Sequence, residues 1–154
     1  AGAYCYYDND LDVYGSKYGA LYNFYAVQSG KLCPTGWTVP SDSSWFTLES
    51  FIDPSIDDAE LVGYRGTSIG RKLKSAQGWD NGTDTYEFNA LPGGARHTSY
   101  SFLDVAQKAY FWTSTQSSAN SSWFRVLKVG SDQISRSNSG KQMGCSVRCV
   151  KLTL

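Results

Sequence analysis

The sequence predicts an α+β chain, two helices packed on a twisted antiparallel sheet, and three observations predict it. The last quarter, from Ala109 to Val150, contains AYFWTST, SSWFRVLKVG, QISRSNS and MGCSVRCVKL, short aromatic, β-branched and small polar runs divided by Ser, Asn, Gly and Asp. That pattern is an antiparallel meander. Apolar residues fall at helical spacing after Pro40 and again after Thr67. The four cysteines sit near the two ends of the chain, which draws the ends together.

Each element follows from local chemistry. Residues 1–14 (AGAYCYYDNDLDVY) mix tyrosines with Asp8, Asn9, Asp10 and Asp12, the composition of a solvated turn. Oxygen ligands at every second position also suit calcium, although the EF-hand glycine and terminal glutamate are absent. In YGALYNFYAV, Tyr18, Ala20, Tyr22, Phe24 and Ala26 share one parity, which predicts a strand over 18–27 paired with the C-terminal strand. After Pro40, Ser41 or Asp42 can cap a helix carrying Trp45, Leu48, Phe51 and Ile52, and Pro54 ends it. A second helix is expected over 67–75, with Ile69 and Leu73 inward and Arg71, Lys72 and Lys74 facing water.

Between the helices lies an acidic loop with Asp53, Asp57, Asp58 and Glu60. Residues 78–102 are loop-rich, with turns at Asn81-Gly82 and Gly93-Gly94. Turn chemistry accounts for Asp80, Asn81, Asp84 and Glu87, with calcium as the alternative. In the central run, Trp123, Arg125, Leu127 and Val129 alternate with Phe124, Val126 and Lys128. Two partly apolar faces mean either a contact surface or a sheet covered on both sides, and the strand alone leaves both readings open.

With 154 residues the chain is long enough for one domain burying about 70% of its unfolded surface. A formal net charge of zero, without a Lys/Arg run, gives no electrostatic footprint for nucleic acid. No apolar run approaches the about 20 residues of a membrane span. Charged residues at 18% and aromatics at 15% resemble secreted binding modules more than cytosolic enzymes. The chain opens on Ala1-Gly2-Ala3, so a signal peptide is expected to have been removed or to lie outside this sequence. Asn81-Gly82-Thr83 and Asn120-Ser121-Ser122 match the N-glycosylation pattern.

Cys5, Cys33, Cys145 and Cys149 lack the spacing of a zinc site, and His97 is the sole histidine. Cys145 and Cys149 lie about 13 Å apart in an extended strand, too far to bond each other. Each is therefore expected to reach an N-terminal partner, Cys33 with Cys149 and Cys5 with Cys145, in an oxidising compartment.

CPTGWTVPS, LPGGAR, AYFWTST and GCSVRCVK, in this order and over nearly the whole chain, resemble the Fibrobacter succinogenes major paralogous domain of bacterial surface and secreted proteins. The resemblance implies a branch of the C-type lectin-like fold with N- and C-terminal strands paired. It also implies kinship to formylglycine-generating enzymes and to variable binding proteins diversified by retroelements. Cys145 stands where the family usually has an aromatic residue, and Cys5 lacks the nearby partner common there, so the resemblance implies that these two cysteines pair.

The function expected is non-catalytic ligand binding by a secreted or surface-displayed bacterial or phage domain, the terminal domain of a larger protein, directed at a protein receptor or surface glycan. No cofactor is expected, with calcium held as the alternative. Retroelement-diversified relatives imply exposed binding residues Phe124, Val126 and Lys128 on one strand, Gln133, Ser135 and Ser137 on the next, and Asn138, Ser117 and Asn120 in flanking turns. Arg125 and Arg136 are expected on the opposite face, in internal salt bridges. Trp37, Trp112 and Trp123 fall in the family's recurrent motifs and are expected in the core, which leaves Trp79 for sugar stacking. The Glu-Pro-Asn and Gln-Pro-Asp motifs of calcium-dependent lectins are absent. The alternative is a formylglycine-generating-like oxidase, but QISRSNSG, where its reactive cysteine pair would fall, has no cysteine.

Overall fold

The computed structural model describes residues 1–153. In chain order the strands are β1 (Tyr4–Cys5), β2 (Leu21–Tyr22), β3 (Trp37–Thr38), β4 (Gly63–Arg65), β5 (Gly93–Arg96), β6 (Phe102–Val105), β7 (Lys108–Gln116), β8 (Ser121–Lys128), β9 (Ile134–Gly140) and β10 (Val150–Lys151). The helices are α1 (Ser16–Tyr18), α2 (Phe24–Gln28), α3 (Asp42–Ile52) and α4 (Ile69–Leu73). The fold is α+β. Strands β4-β9-β8-β7-β5-β6 form one six-stranded sheet, in which β7, β8 and β9 are three of the four runs expected in the antiparallel meander; the fourth, MGCSVRCVKL, leaves it, making isolated bridges at 144–146 and pairing β10 with β3.

Both expected helices form. Ser41 caps α3, its hydroxyl accepting the Ser44 N–H at 3.0 Å, and Trp45 and Ile52 are buried at helical spacing. In α4, Ile69 and Leu73 point inward as expected, but Lys74, placed on the wet face by sequence, is fully buried, because the helix ends at Leu73 and Lys74 takes an extended backbone (φ −66°, ψ 138°) bridged to Ala90. The strand expected over 18–27 is replaced by β2 followed by α2. Asn23 redirects the chain: its side-chain oxygen accepts the Ala26 N–H at 3.0 Å, starting a helical turn that buries Phe24 and Val27.

The terminal strands do not pair with each other. β1 pairs with β2 and β10 with β3. The ends are joined instead by the Cys33–Cys149 disulfide, with Cα atoms 5.8 Å apart across 116 residues. In the chain-entropy account such a closure stabilises by about 4 to 5 kcal/mol. Cys5 and Cys145 are both free, contrary to expectation. Cys5 lies opposite Leu21 on one side of β2, while Cys145 bridges to Tyr22 on the other, so the two are two strands apart and on alternate parities.

The sheet is covered on both sides. One face packs Phe124, Val126, Tyr110 and Trp112 beneath Phe24 and Met143. Trp112 is fully buried, donates its indole N–H to the Tyr22 carbonyl at 2.8 Å, and meets Phe24 and Phe124 edge-on. The other face packs Phe111, Leu127 and Ile134 against Trp45, Ile69 and Leu73 of the helices. Of the other family tryptophans, Trp123 is half-buried, whereas Trp37, expected in the core, is 45% exposed on the two-residue strand β3.

Helix α3 is fastened to that second face by charge, where Arg125 and Arg136 form the expected internal salt bridges. The fully buried Glu49 carboxylate receives both Arg65 and Arg125. Asp42, one helical turn before the core residue Trp45, receives Arg125 Nη1 at 2.6 Å and Arg136 Nη2 at 2.7 Å. The Arg136 guanidinium lies 3.6 Å from the Trp123 ring centroid. Glu49→Gln leaves two guanidiniums undercompensated in the interior. The expected loss is about 3–5 kcal/mol, read as a lower urea midpoint at unchanged m-value.

Two carboxylates are held below their ordinary range. Burial alone would raise Asp42, but the bonds from Arg136 and Arg125 outweigh it. Burial also opposes Asp53, yet the Ser55 hydroxyl and the N–H groups of Thr67, Ser68 and Ser55 lower it strongly. Folded pKa values below the unfolded ones make this stability complete above the unfolded value, about 3.9, and progressively lost as pH falls beneath it. The melting temperature should drop along an acid limb below about pH 4. Asp53→Asn should flatten that limb while lowering stability at pH 7.

Candidate functional site

The structure does not gather the nine sequence-derived binding residues into one surface. Phe124, Val126 and Ser135 are buried, at 5%, 6% and 4% exposure, because the N-terminal segment covers that face. Their expected exposure is therefore corrected. Of the rest, Lys128, Gln133, Asn138 and Asn120 are exposed, and Ser137 and Ser117 are half-buried. Ser137 stands opposite Phe124 and Asn138 opposite Trp123, so the two neighbours face opposite sides of the sheet. Lys128 and Gln133 flank one end of the β8-β9 hairpin, and Ser117 and Asn120 lie beyond the other end of β8.

A different place brings chemistry together. Where the chain returns after β9, residues 144–146 thread between β5 and β7: the Arg96 N–H donates to the Gly144 carbonyl at 2.9 Å, and the Ser146 N–H to that of Tyr110 at 2.9 Å. Gly144 permits the approach, since a Cβ there would stand 3.1 Å from Arg96 Cβ. Strands β1 and β2 stack beside this tail through the Tyr22–Cys145 bridge. The result is a surface cleft of about 280 Å³ between β1 and the turn following β5.

Arg96 is the one charged side chain among the residues lining the cleft. Its guanidinium lies 5.2 Å from the Tyr100 ring centroid and 5.5 Å from that of Phe102, and its Nε makes a long, 3.5 Å bond to the Tyr100 carbonyl. Among the described residues it has no carboxylate partner, unlike Arg65, Arg125 and Arg136. Tyr100 is held at φ 69°, a conformation costly for an aromatic residue, by the Tyr100 N–H to His97 carbonyl bond at 2.9 Å. Tyr100 and Tyr4 stand at the cleft at 68% and 63% exposure, with Tyr25 and Gln142 completing its walls. The sequence contained Tyr4, Arg96 and Tyr100, but nothing in their spacing across some 90 positions marks them as neighbours.

In each acidic loop weighed for calcium a carboxylate is engaged by the chain's own backbone. Asp10 accepts the Val13 N–H at 2.9 Å, and Asp84 that of Asn89 at 2.7 Å. Lys74 Nζ donates to the carbonyls of Lys128 (2.6 Å) and Ser131 (2.7 Å) and to Asn81 Oδ1 (2.8 Å), with the Trp79 ring centroid 4.8 Å away. An internal ammonium thus sits in an oxygen cage, which also engages Asn81 of the first glycosylation pattern and puts Trp79 over a cation. Burial pulls the Lys74 pKa down, and Asp80 and Asp132 oppose that. Among the described residues no group of three or more His, Cys, Asp or Glu side chains converges to hold a metal ion.

A family model for the Fibrobacter succinogenes major domain (Fib_succ_major) matches residues 1–151. The chain belongs to this family. No curated protein and no solved structure matches it. Among the described residues of this Fib_succ_major domain no helix is long and apolar enough to cross a membrane. Neither free thiol is activated. Burial raises the Cys145 pKa far above its usual value, and burial raises that of Cys5 despite the opposing Arg96 charge, so both are thiols at neutral pH.

Because the domain's own ammonium fills the oxygen cage, adding calcium or EDTA should leave its melting temperature unchanged in a differential scan. Lys74→Met strands two carbonyls and an amide oxygen. It should destabilise by about 2–4 kcal/mol.

Proposed function

We propose that this is a non-catalytic ligand-binding domain whose ligand seats in the Arg96 cleft. The observation that carries this reading is the guanidinium itself. The interior charges of Glu49, Asp42, Arg125 and Lys74 are spent on partners within the chain, whereas Arg96 lies against the rings of Tyr100 and Phe102 with no carboxylate partner among the described residues. Tyrosine rings supply rigid contact area at low entropic cost, and an arginine fork supplies direction. The protonated Cys5 and Cys145 thiols and the Cys33–Cys149 bond offer no reactive cysteine pair, which favours binding over an oxidase. The disulfide also supports placing the domain outside the cell, in a secreted or surface-displayed protein. A binding face on the meander would be limited to Lys128, Gln133, Ser137, Asn138, Ser117 and Asn120, which lie on separate areas.

Ala3 lines the cleft and is exposed, so Ala3→Trp fills the cleft without removing a core side chain. On an array of bacterial surface glycans and proteins, this variant should lose the ligand that the native domain retains. Lys128→Ala/Asn138→Ala should keep it, and both should melt within a few degrees of native. Loss of binding in the double variant with retention in Ala3→Trp would overturn the cleft reading.

A further inference from the structure

The cleft is narrow in what it accepts. Its volume of about 280 Å³ falls just below the about 300–1,000 Å³ of clefts for drug-sized ligands, so it takes one ring-sized group. Strand addition, the usual way to hold an extended peptide, finds little backbone here, because β1 is two residues long and several of the cleft's backbone groups are already paired. The Ala3 N–H donates to Asn23 Oδ1 and its carbonyl accepts the Asn23 N–H, β1 is paired with β2, and Arg96 is paired with Gly144. The side chains that line it include the guanidinium of Arg96, which has no carboxylate partner among the described residues, the largely exposed rings of Tyr4 and Tyr100, and the amide of Gln142.

Those groups match one ligand chemistry. A guanidinium without a protein counter-charge takes a carboxylate through two parallel N–H donors. An aromatic ring beside it offers a flat face to the C–H face of a saturated ring, and an amide or phenol offers hydrogen bonds to hydroxyls. From this juxtaposition we infer that the cleft binds a carboxylate-bearing pyranose, a uronic acid residue of an acidic glycan. The carboxylate meets Arg96 and the sugar ring lies against Tyr100. The inference rests on the cleft being the binding site proposed above.

The test is an NMR titration of the native domain with methyl β-glucuronide and methyl α-galacturonide, against methyl β-glucoside and acetate. The expected result is saturable movement of the Arg96 Nε–H and Tyr100 amide signals by a uronide, with Kd on the order of millimolar. Glucoside and acetate should bind about tenfold or more weakly, and Arg96→Gln should weaken the uronide by about tenfold or more without moving the melting temperature by more than a few degrees. Equal binding of glucoside removes the carboxylate from the inference, and equal binding of acetate removes the sugar. Either overturns it, as does the absence of movement with both uronides. A neutral array ligand lost in Ala3→Trp but retained in Arg96→Gln would overturn the acidic-glycan inference while leaving the cleft reading intact.

Discussion

The structure depends on a carboxylate that water cannot reach. Glu49 holds Arg65 of β4 and Arg125 of β8 from the inner side of α3, and Asp42 at the start of the same helix holds Arg125 and Arg136. Such a network gains little net free energy over an apolar contact of the same volume, because each ion gives up its hydration. It gives direction instead. An apolar helix face slides over an apolar sheet at small cost, whereas a guanidinium reaching a buried carboxylate admits one register. Here α3 is fixed against three strands, β4, β8 and β9, and the edge strand β4 gains a covalently unrelated anchor in Arg65.

With that face closed by charge and helices, the opposite face must be closed by what remains of the chain. That is the N-terminal segment and the tail after β9. Trp112 is the hinge of this closure, buried between Phe24 from the beginning and Phe124 from the meander, with its N–H on the Tyr22 carbonyl. The two ends are too irregular to form a broad sheet together, so they meet in bridges and two-residue strands. Cys33–Cys149 secures them covalently. The Arg96 cleft is a consequence of this manner of closure: it opens where β1, the tail and the turn after β5 converge without filling the space between them.

Lys74 and Arg96 illustrate how like charges diverge in role. Lys74 directly follows α4, whose basic residues Arg71 and Lys72 are more accessible, yet its ammonium is consumed by three oxygens that tie the 79–84 loop to the β8-β9 hairpin. It acts within the chain as a bound cation would. Arg96 lies on a strand, stacked on aromatic rings, with its charge unanswered. Composition treats the two as equivalent. Only their surroundings separate a structural cation from one available to a ligand.

Much of the fold was legible because it is decided locally. Ser41 before Trp45 and Ile52 favours a helix start from local chemistry alone, the alternation of β7 to β9 makes a meander, and Cys145 and Cys149 cannot bond each other in an extended chain. Residues 18–27 misled because alternating parity and a short capped turn share the same apolar positions, and the Asn23 side chain chose between them. Phe124 and Val126 were legible as one face but not as a covered one, since alternation reports which residues share a side and not what lies over it. The free Cys5 and Cys145 follow from strand order, which spacing does not contain. The sequence by itself thus determined the α+β class, the two principal helices, the three meander strands β7 to β9 and the family. The burial of the meander face, the capture of Lys74 and the joining of Tyr4, Arg96 and Tyr100 were decided only by tertiary structure, because each is a contact between segments tens of residues apart.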